Sequence, residues 1–109
     1  MKMSSEELQK LLDLAPSFIG QPIKVVESIS RGRNTGKHDR HFATRSYFSF
    51  TVENVVATFS GAQLCFMGVA AQYGVSLDSV VSFKASGSEL EIVEHFEQQT
   101  ERQTHITAS

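Results

Sequence analysis

Apolar residues near the amino terminus recur at intervals of three and four, at Leu8, Leu11, Leu12 and Ala15, the spacing that gathers side chains on one side of a helix. Ser4 stands three positions ahead of Glu7, the separation of a capping box, in which the first side chain bonds the free N–H of the helix start. A short amphipathic helix is therefore predicted to begin near Ser5 and to stop at Pro16, which has no N–H to continue it. Its apolar stripe is narrow and must dock on something, either a sheet of its own domain or a partner chain.

The pattern then changes to a period of two. From Pro22 to Ser30, Ile23, Val25 and Glu27 fall on one side and Lys24, Val26 and Ser28 on the other, a β-branched alternation that reads as a strand. Phe48, Phe50 and Val52 alternate with Ser49 and Thr51, and Val55, Ala57 and Phe59 alternate with Val56 and Thr58, with Glu53-Asn54 as a turn between them. From Gly61 to Tyr73, Leu64, Met67, Gly68 and Ala71 share a helical face and Phe66, Val69, Ala70 and Tyr73 lie beside it. That segment reads as a buried helix closed by Gly74 in a left-handed cap.

Val80 to Phe83 reads as a strand. Ser88 and Glu91 repeat the capping-box spacing ahead of helix formers through Gln103. Ser86-Gly87-Ser88 is equally able to turn a hairpin into a strand from Glu89 to Phe96; the helix is preferred, with residues 104–109 frayed. The expected fold class is α+β: a small antiparallel sheet, an N-terminal amphipathic helix, a packed central helix and a C-terminal helix.

The chain has 109 residues, enough for one core and too few for two, so residues 1–109 are expected to form a single domain. The longest nearly uncharged stretch, Asn54 to Leu77, is broken by polar residues and glycines and does not read as a membrane span. The start, Met1-Lys2-Met3-Ser4-Ser5-Glu6-Glu7, is polar where a secretory signal is apolar. A lone cysteine, Cys65, sits among Leu64, Phe66 and Met67, which suits a core thiol in a reducing compartment. Together these point to a cytoplasmic protein.

Charge is distributed unevenly. Between Arg31 and Arg45 the cations Arg31, Arg33, Lys37, Arg40 and Arg45 meet only Asp39, so this segment carries +4 and the rest of the chain −6 of the net −2. Residues 31–41 contain two glycines and read as an exposed basic loop able to follow a phosphate backbone. The bland reading is a solvated hairpin tip, or one paired with the acidic segment of Glu89, Glu91, Glu94, Glu97 and Glu101. Gly32 and Gly36-Lys37 do not make a phosphate loop: three residues separate the glycines where four are needed, and His38 replaces the hydroxyl residue.

Val69 to Lys84 resembles the helix-turn-helix pattern, with Gly74 at the turn, Val80 as an anchor of a second helix and Phe83 on a position usually apolar. The resemblance covers about fifteen residues, and a spacing of this kind often arises by chance. It implies a DNA-reading helix from Leu77 to Lys84, yet that segment offers Asp78, Ser79, Ser82 and a single cation, Lys84, where a groove reader carries several cations and amides. His38, His41, His95 and His105 form no metal-ligand spacing, and His38 and His41 are flanked by Lys37 and Arg40. No serine, nor Cys65, has a base and an oxyanion hole laid out beside it in sequence. No catalytic residue, metal or cofactor is assigned.

The leading expectation is a small non-enzymatic regulatory or inhibitory protein that binds another protein through apolar surface, at Leu8, Leu11, Leu12, Phe48 and Phe50, and blocks its activity or assembly. A homodimer is expected as the commonest soluble assembly, and no membrane association is expected. The alternative is a nucleic-acid-binding regulator using Arg31, Arg33, Lys37, Arg40 and Arg45, together with the helix-turn-helix-like segment 69–84.

Overall fold

The computed structural model describes residues 3–32, 40–58, 62–97 and 99–108, with the side chains of 32 and 40–43 excepted. Helix α1 (Ser5–Leu14) starts where the capping spacing predicts: the Ser4 hydroxyl oxygen accepts from the Glu7 N–H at 3.2 Å. A single 3-10 turn follows (Ala15–Phe18), with Pro16 in its first positions, where a missing N–H costs nothing.

Among the described residues all the remaining regular structure is antiparallel β. Strands β1 (Pro22–Gly32) and β2 (Arg40–Thr51) form a long hairpin; β3 (Asn54–Thr58), β4 (Gln63–Met67) and β5 (Gln72–Ser76) form a separate three-stranded sheet; β6 (Val80–Ser86), β7 (Glu89–Phe96) and β8 (Thr100–Ala108) return to the first one. The larger sheet runs β2-β1-β8-β7-β6 and the smaller β3-β4-β5.

The expected α+β class with central and C-terminal helices is therefore overturned; the chain is mostly β with one short helix. Where a helix from Gly61 to Tyr73 was expected, the side chains of β4, Gln63–Met67, alternate with period two: Leu64 and Phe66 are buried while Gln63 is exposed and Cys65 and Met67 are half-buried. Gly68 turns this strand toward the next, its N–H donating to the Ala71 carbonyl at 2.7 Å. The crowding of apolar residues there arises because both faces of β4 and its turn are partly covered, and this imitates a helix buried on most sides. The helix-turn-helix reading of 69–84 fails for the same reason, since the segment comprises β5, the turn Leu77–Ser79 and β6.

At the carboxyl end the hairpin alternative is the one adopted. Ser86 pairs with Glu89 and Gly87 has φ +58°, a left-handed conformation that glycine adopts without penalty in a two-residue turn. Residues 104–108, expected to fray, complete β8, which lies between β1 and β7 with Thr104 and Ile106 buried. Glu53-Asn54 does not turn a hairpin either: the chain leaves the larger sheet after Thr51 and enters the smaller one at Asn54.

The core gathers one face of each element: Leu11, Ala15 and Phe18 from the helix and its turn, Ile23, Val25, Leu90, Ile92 and Ile106 from the larger sheet, Leu64, Phe66, Tyr73 and Val75 from the smaller. Phe18 meets Phe66 edge-on, with ring centroids 6.0 Å apart. Burying each such side chain contributes about 1.5–3 kcal/mol, which makes the larger sheet's apolar parity the main determinant of its register. No helix among the described residues is long and apolar enough to cross a membrane.

Candidate interaction surface

The expected apolar docking stripe is largely spent within the fold. Leu11 is fully buried, and Leu8, Leu12 and Phe50 are half-buried and pack against the core. Phe48 differs, remaining 42% exposed on the same face of β2 as Phe50.

Of the basic candidates, Arg31 is exposed near the end of β1, and Arg45 is exposed on β2 with its Nε donating to the Ser28 hydroxyl at 3.3 Å. Arg40 begins β2 opposite Gly32, its side chain outside the described residues, as are Arg33 and Lys37 altogether. The acidic residues are not one stripe: Glu94 is buried, Glu89 pairs with His105 at 2.7 Å, and Glu101 pairs with His95 at 2.9 Å. Among the described residues no group of three His, Cys, Asp or Glu side chains is placed to hold a metal ion.

Beside Phe48 lies a constellation that composition and spacing did not single out. Phe48 and Tyr73 have ring centroids 6.0 Å apart, and the Arg102 guanidinium carbon lies 5.4 Å from the Tyr73 ring centroid and 5.7 Å from that of Phe96. The sequence of groups is thus Phe48, Tyr73, Arg102, Phe96, with the outer rings 42% and 38% exposed and Tyr73 nearly covered. Guanidinium over ring faces is attractive, at about 0.5–1 kcal/mol where exposed.

A polar network fixes the positions of Arg102 and Tyr73. Arg102 donates through Nε and Nη2 to the two Glu94 oxygens at 2.7 and 2.8 Å, through Nη1 to Glu27 at 3.3 Å, and through Nη2 to the Gly74 carbonyl at 2.8 Å. Glu94 also accepts from the Ser76 N–H at 2.8 Å, and the Tyr73 hydroxyl donates to Glu27 at 3.2 Å and lies 2.7 Å from the Thr104 hydroxyl. Four of these contacts join β5 of the smaller sheet to β1, β7 and β8 of the larger. Every described buried side-chain polar atom has a partner, as a buried charge pair requires if it is not to destabilise the fold.

The same network fixes protonation. Burial, opposed in part by the Thr104 hydrogen bond and by the Arg102 charge, pushes the Tyr73 hydroxyl up to about 12. Burial works against the Arg102 cation, but the hydrogen bond and charge of Glu94, with further help from Tyr73 and Glu27, more than offset it and hold the guanidinium above its ordinary value. At neutral pH the strip therefore presents a neutral phenol, a permanent cation and two open rings. Those groups suit adhesion, since tyrosine, phenylalanine and arginine bring much contact area for little lost freedom.

The signal for this cluster was the parity of β8. Thr100, Arg102, Thr104 and Ile106 share one side of a period-two pattern, so a strand that buries Ile106 must turn Arg102 inward. The chain matches no protein-family model, and neither a curated protein nor a solved structure matches it.

Proposed function

We propose that this is a small regulatory or inhibitory protein of the cytoplasm, non-enzymatic, that binds another protein and blocks a surface of it. The observation that carries the reading is the strip Phe48, Tyr73, Arg102 and Phe96, in which two open rings flank an arginine fixed by two carboxylates. Most interface energy comes from a few such residues in rigid settings, and the side chains that need support here already have it before a partner arrives. Phe48→Ser with Phe96→Ser removes the open rings and leaves the network intact. Affinity capture with the wild-type chain should yield a stoichiometric partner that the double variant loses while keeping its thermal stability. Equal recovery of the same partner by both proteins would exclude the strip as the binding surface.

A second reading, nucleic-acid binding, is favoured by one feature: the β1–β2 hairpin pairs Gly32 with Arg40, so both ends of the basic segment arrive at one tip. Under that reading the variant with Arg31, Arg33 and Lys37 changed to alanine binds duplex and single-stranded DNA more weakly on all sequences and with a flatter salt dependence. Absence of any binding by the wild type at low salt would remove it.

A further inference from the structure

We infer that the turn between β4 and β5 is a preformed apolar knob, with Val69 at its tip, that enters an apolar pocket of the partner protein. This rests on the partner reading above and adds what that partner must offer.

The turn is anchored at its base. The ladder of β4 and β5 ends at Met67↔Gln72, and the Gly68 N–H closes the loop by donating to the Ala71 carbonyl at 2.7 Å. The Met67 carbonyl accepts from the Glu53 N–H at 2.7 Å, which ties the turn to the connection between β2 and β3. Gly68 lies so close to β2 that a Cβ on it would stand 2.8 Å from Phe50 Cδ2 and 2.9 Å from the Thr51 carbonyl oxygen. The knob is therefore seated against β2 and has its shape before any partner arrives.

Turn chemistry does not account for the residues at the tip. Two-residue hairpin tips are ordinarily Asn, Asp or Gly, because a positive φ there matches the twist of the flanking strands. Here Val69 and Ala70 fill the tip, and neither has a positive φ. The valine gains no packing from its place: it is 86% exposed, and Ala70 and Ala71 are exposed beside it. Single exposed apolar side chains are ordinary. Three in succession on a solvent-facing turn break the patterning that folding favours, and such departures gather at functional sites.

Continuity and charge decide what receives it. Tyr73, whose ring meets Phe48, comes two residues after Ala71, and Phe50, against which Gly68 rests, is two positions from Phe48 on the same face of β2. A partner that covers Phe48 thus reaches the turn as well. No charged residue occurs from Asn54 to Leu77, so the knob brings nothing that an ionic surface would recognise. What fits it is a concave, uncharged pocket lined by aliphatic or aromatic side chains, the setting in which a rigid apolar residue contributes most to binding. Nucleic acid matches poorly, since its phosphates call for cations and this turn has none.

Photo-cross-linking tests the pocket. A small diazirine-bearing amino acid replaces Val69 in one variant and Phe96 in another; each is irradiated in lysate of the source cells, and the adducts are mapped by mass spectrometry. Both variants are expected to label one protein, with the adduct from position 69 on apolar side chains. That protein, purified, is then titrated with wild type and with Val69→Thr, which keeps the shape of valine but carries a hydroxyl. Binding should weaken about tenfold, the penalty for burying an unpaired hydroxyl, while the thermal midpoint stays unchanged because residue 69 is exposed in the free chain. Labelling from position 96 but not from 69, labelling of different proteins from the two, or undiminished binding by Val69→Thr overturns the knob and leaves the strip standing. Absence of adducts from both positions overturns the knob and the partner reading together.

Discussion

Replacing Arg102 by leucine isolates the polar network that ties β5 of the smaller sheet to the larger. The substitution keeps a side chain of fair bulk on β8 but removes two bonds to Glu94, one to Glu27, one to the Gly74 carbonyl and the stacking on Tyr73 and Phe96. Glu94 has no solvent exposure, so its carboxylate would be left buried with only the Ser76 N–H. Breaking a buried pair by deleting one partner costs about 3–5 kcal/mol. Domains of this size are stable by about 5–15 kcal/mol, so the loss is a large share of the total. Urea denaturation at neutral pH, followed by circular dichroism, should show a lower midpoint with little change in slope. Glu94→Leu with Arg102→Leu removes the stranded charge, and the double-mutant cycle should return a coupling of about 2 kcal/mol or more. A loss below about 1 kcal/mol, or strictly additive single and double variants, would show that the network is incidental to stability.

Other expectations follow from single contacts. A Cβ at Gly68 would stand 2.8 Å from Phe50 Cδ2 and 2.9 Å from the Thr51 carbonyl oxygen, so Gly68→Ala should destabilise by about 1–3 kcal/mol, the usual range for overpacking; an unchanged thermal midpoint would contradict the close approach. The Tyr73 hydroxyl is held up to about 12 against an ordinary value of 10.0, so the folded state favours the neutral phenol. The stability this contributes is fully present below pH 10 and is lost as pH rises from 10 toward 12, by about 2–3 kcal/mol at 1.36 kcal/mol per unit. Tyr73→Phe should flatten that alkaline fall, and a parallel decline in both proteins would reject the assignment.

The sequence disclosed the local devices more readily than the architecture. Ser4 and Glu7 placed α1, and the alternation around Ile23 and Val25 placed β1, because capping and a one-sided strand leave signatures within a few residues. Around Leu64 and Phe66 the same reasoning failed, since partial burial on both sides of β4 fills the intervening positions with apolar residues and erases the period of two. Gly87-Ser88 between two alternating runs was a legible hairpin signal. It lost to the capping-box spacing of Ser88 and Glu91, which recurs by chance wherever serine and glutamate are common. The proposed interaction surface was half legible: Phe48 lay on a recognised strand, whereas Tyr73, Arg102 and Phe96 were hidden inside segments read as helix. Leu11 shows the opposite case, an amphipathic stripe offered to a partner by its sequence and used by the protein's own core.

The central claim is that Phe48, Tyr73, Arg102 and Phe96 form the surface that meets a partner protein. Amide hydrogen exchange of the chain, alone and with the partner it captures, tests it most directly. The account requires added protection around Phe48 in β2, in β5, at the end of β7 and at the start of β8, where the strip is supported, with α1 and β6 unchanged. Protection confined to α1, or to the tip of the β1–β2 hairpin, would contradict it.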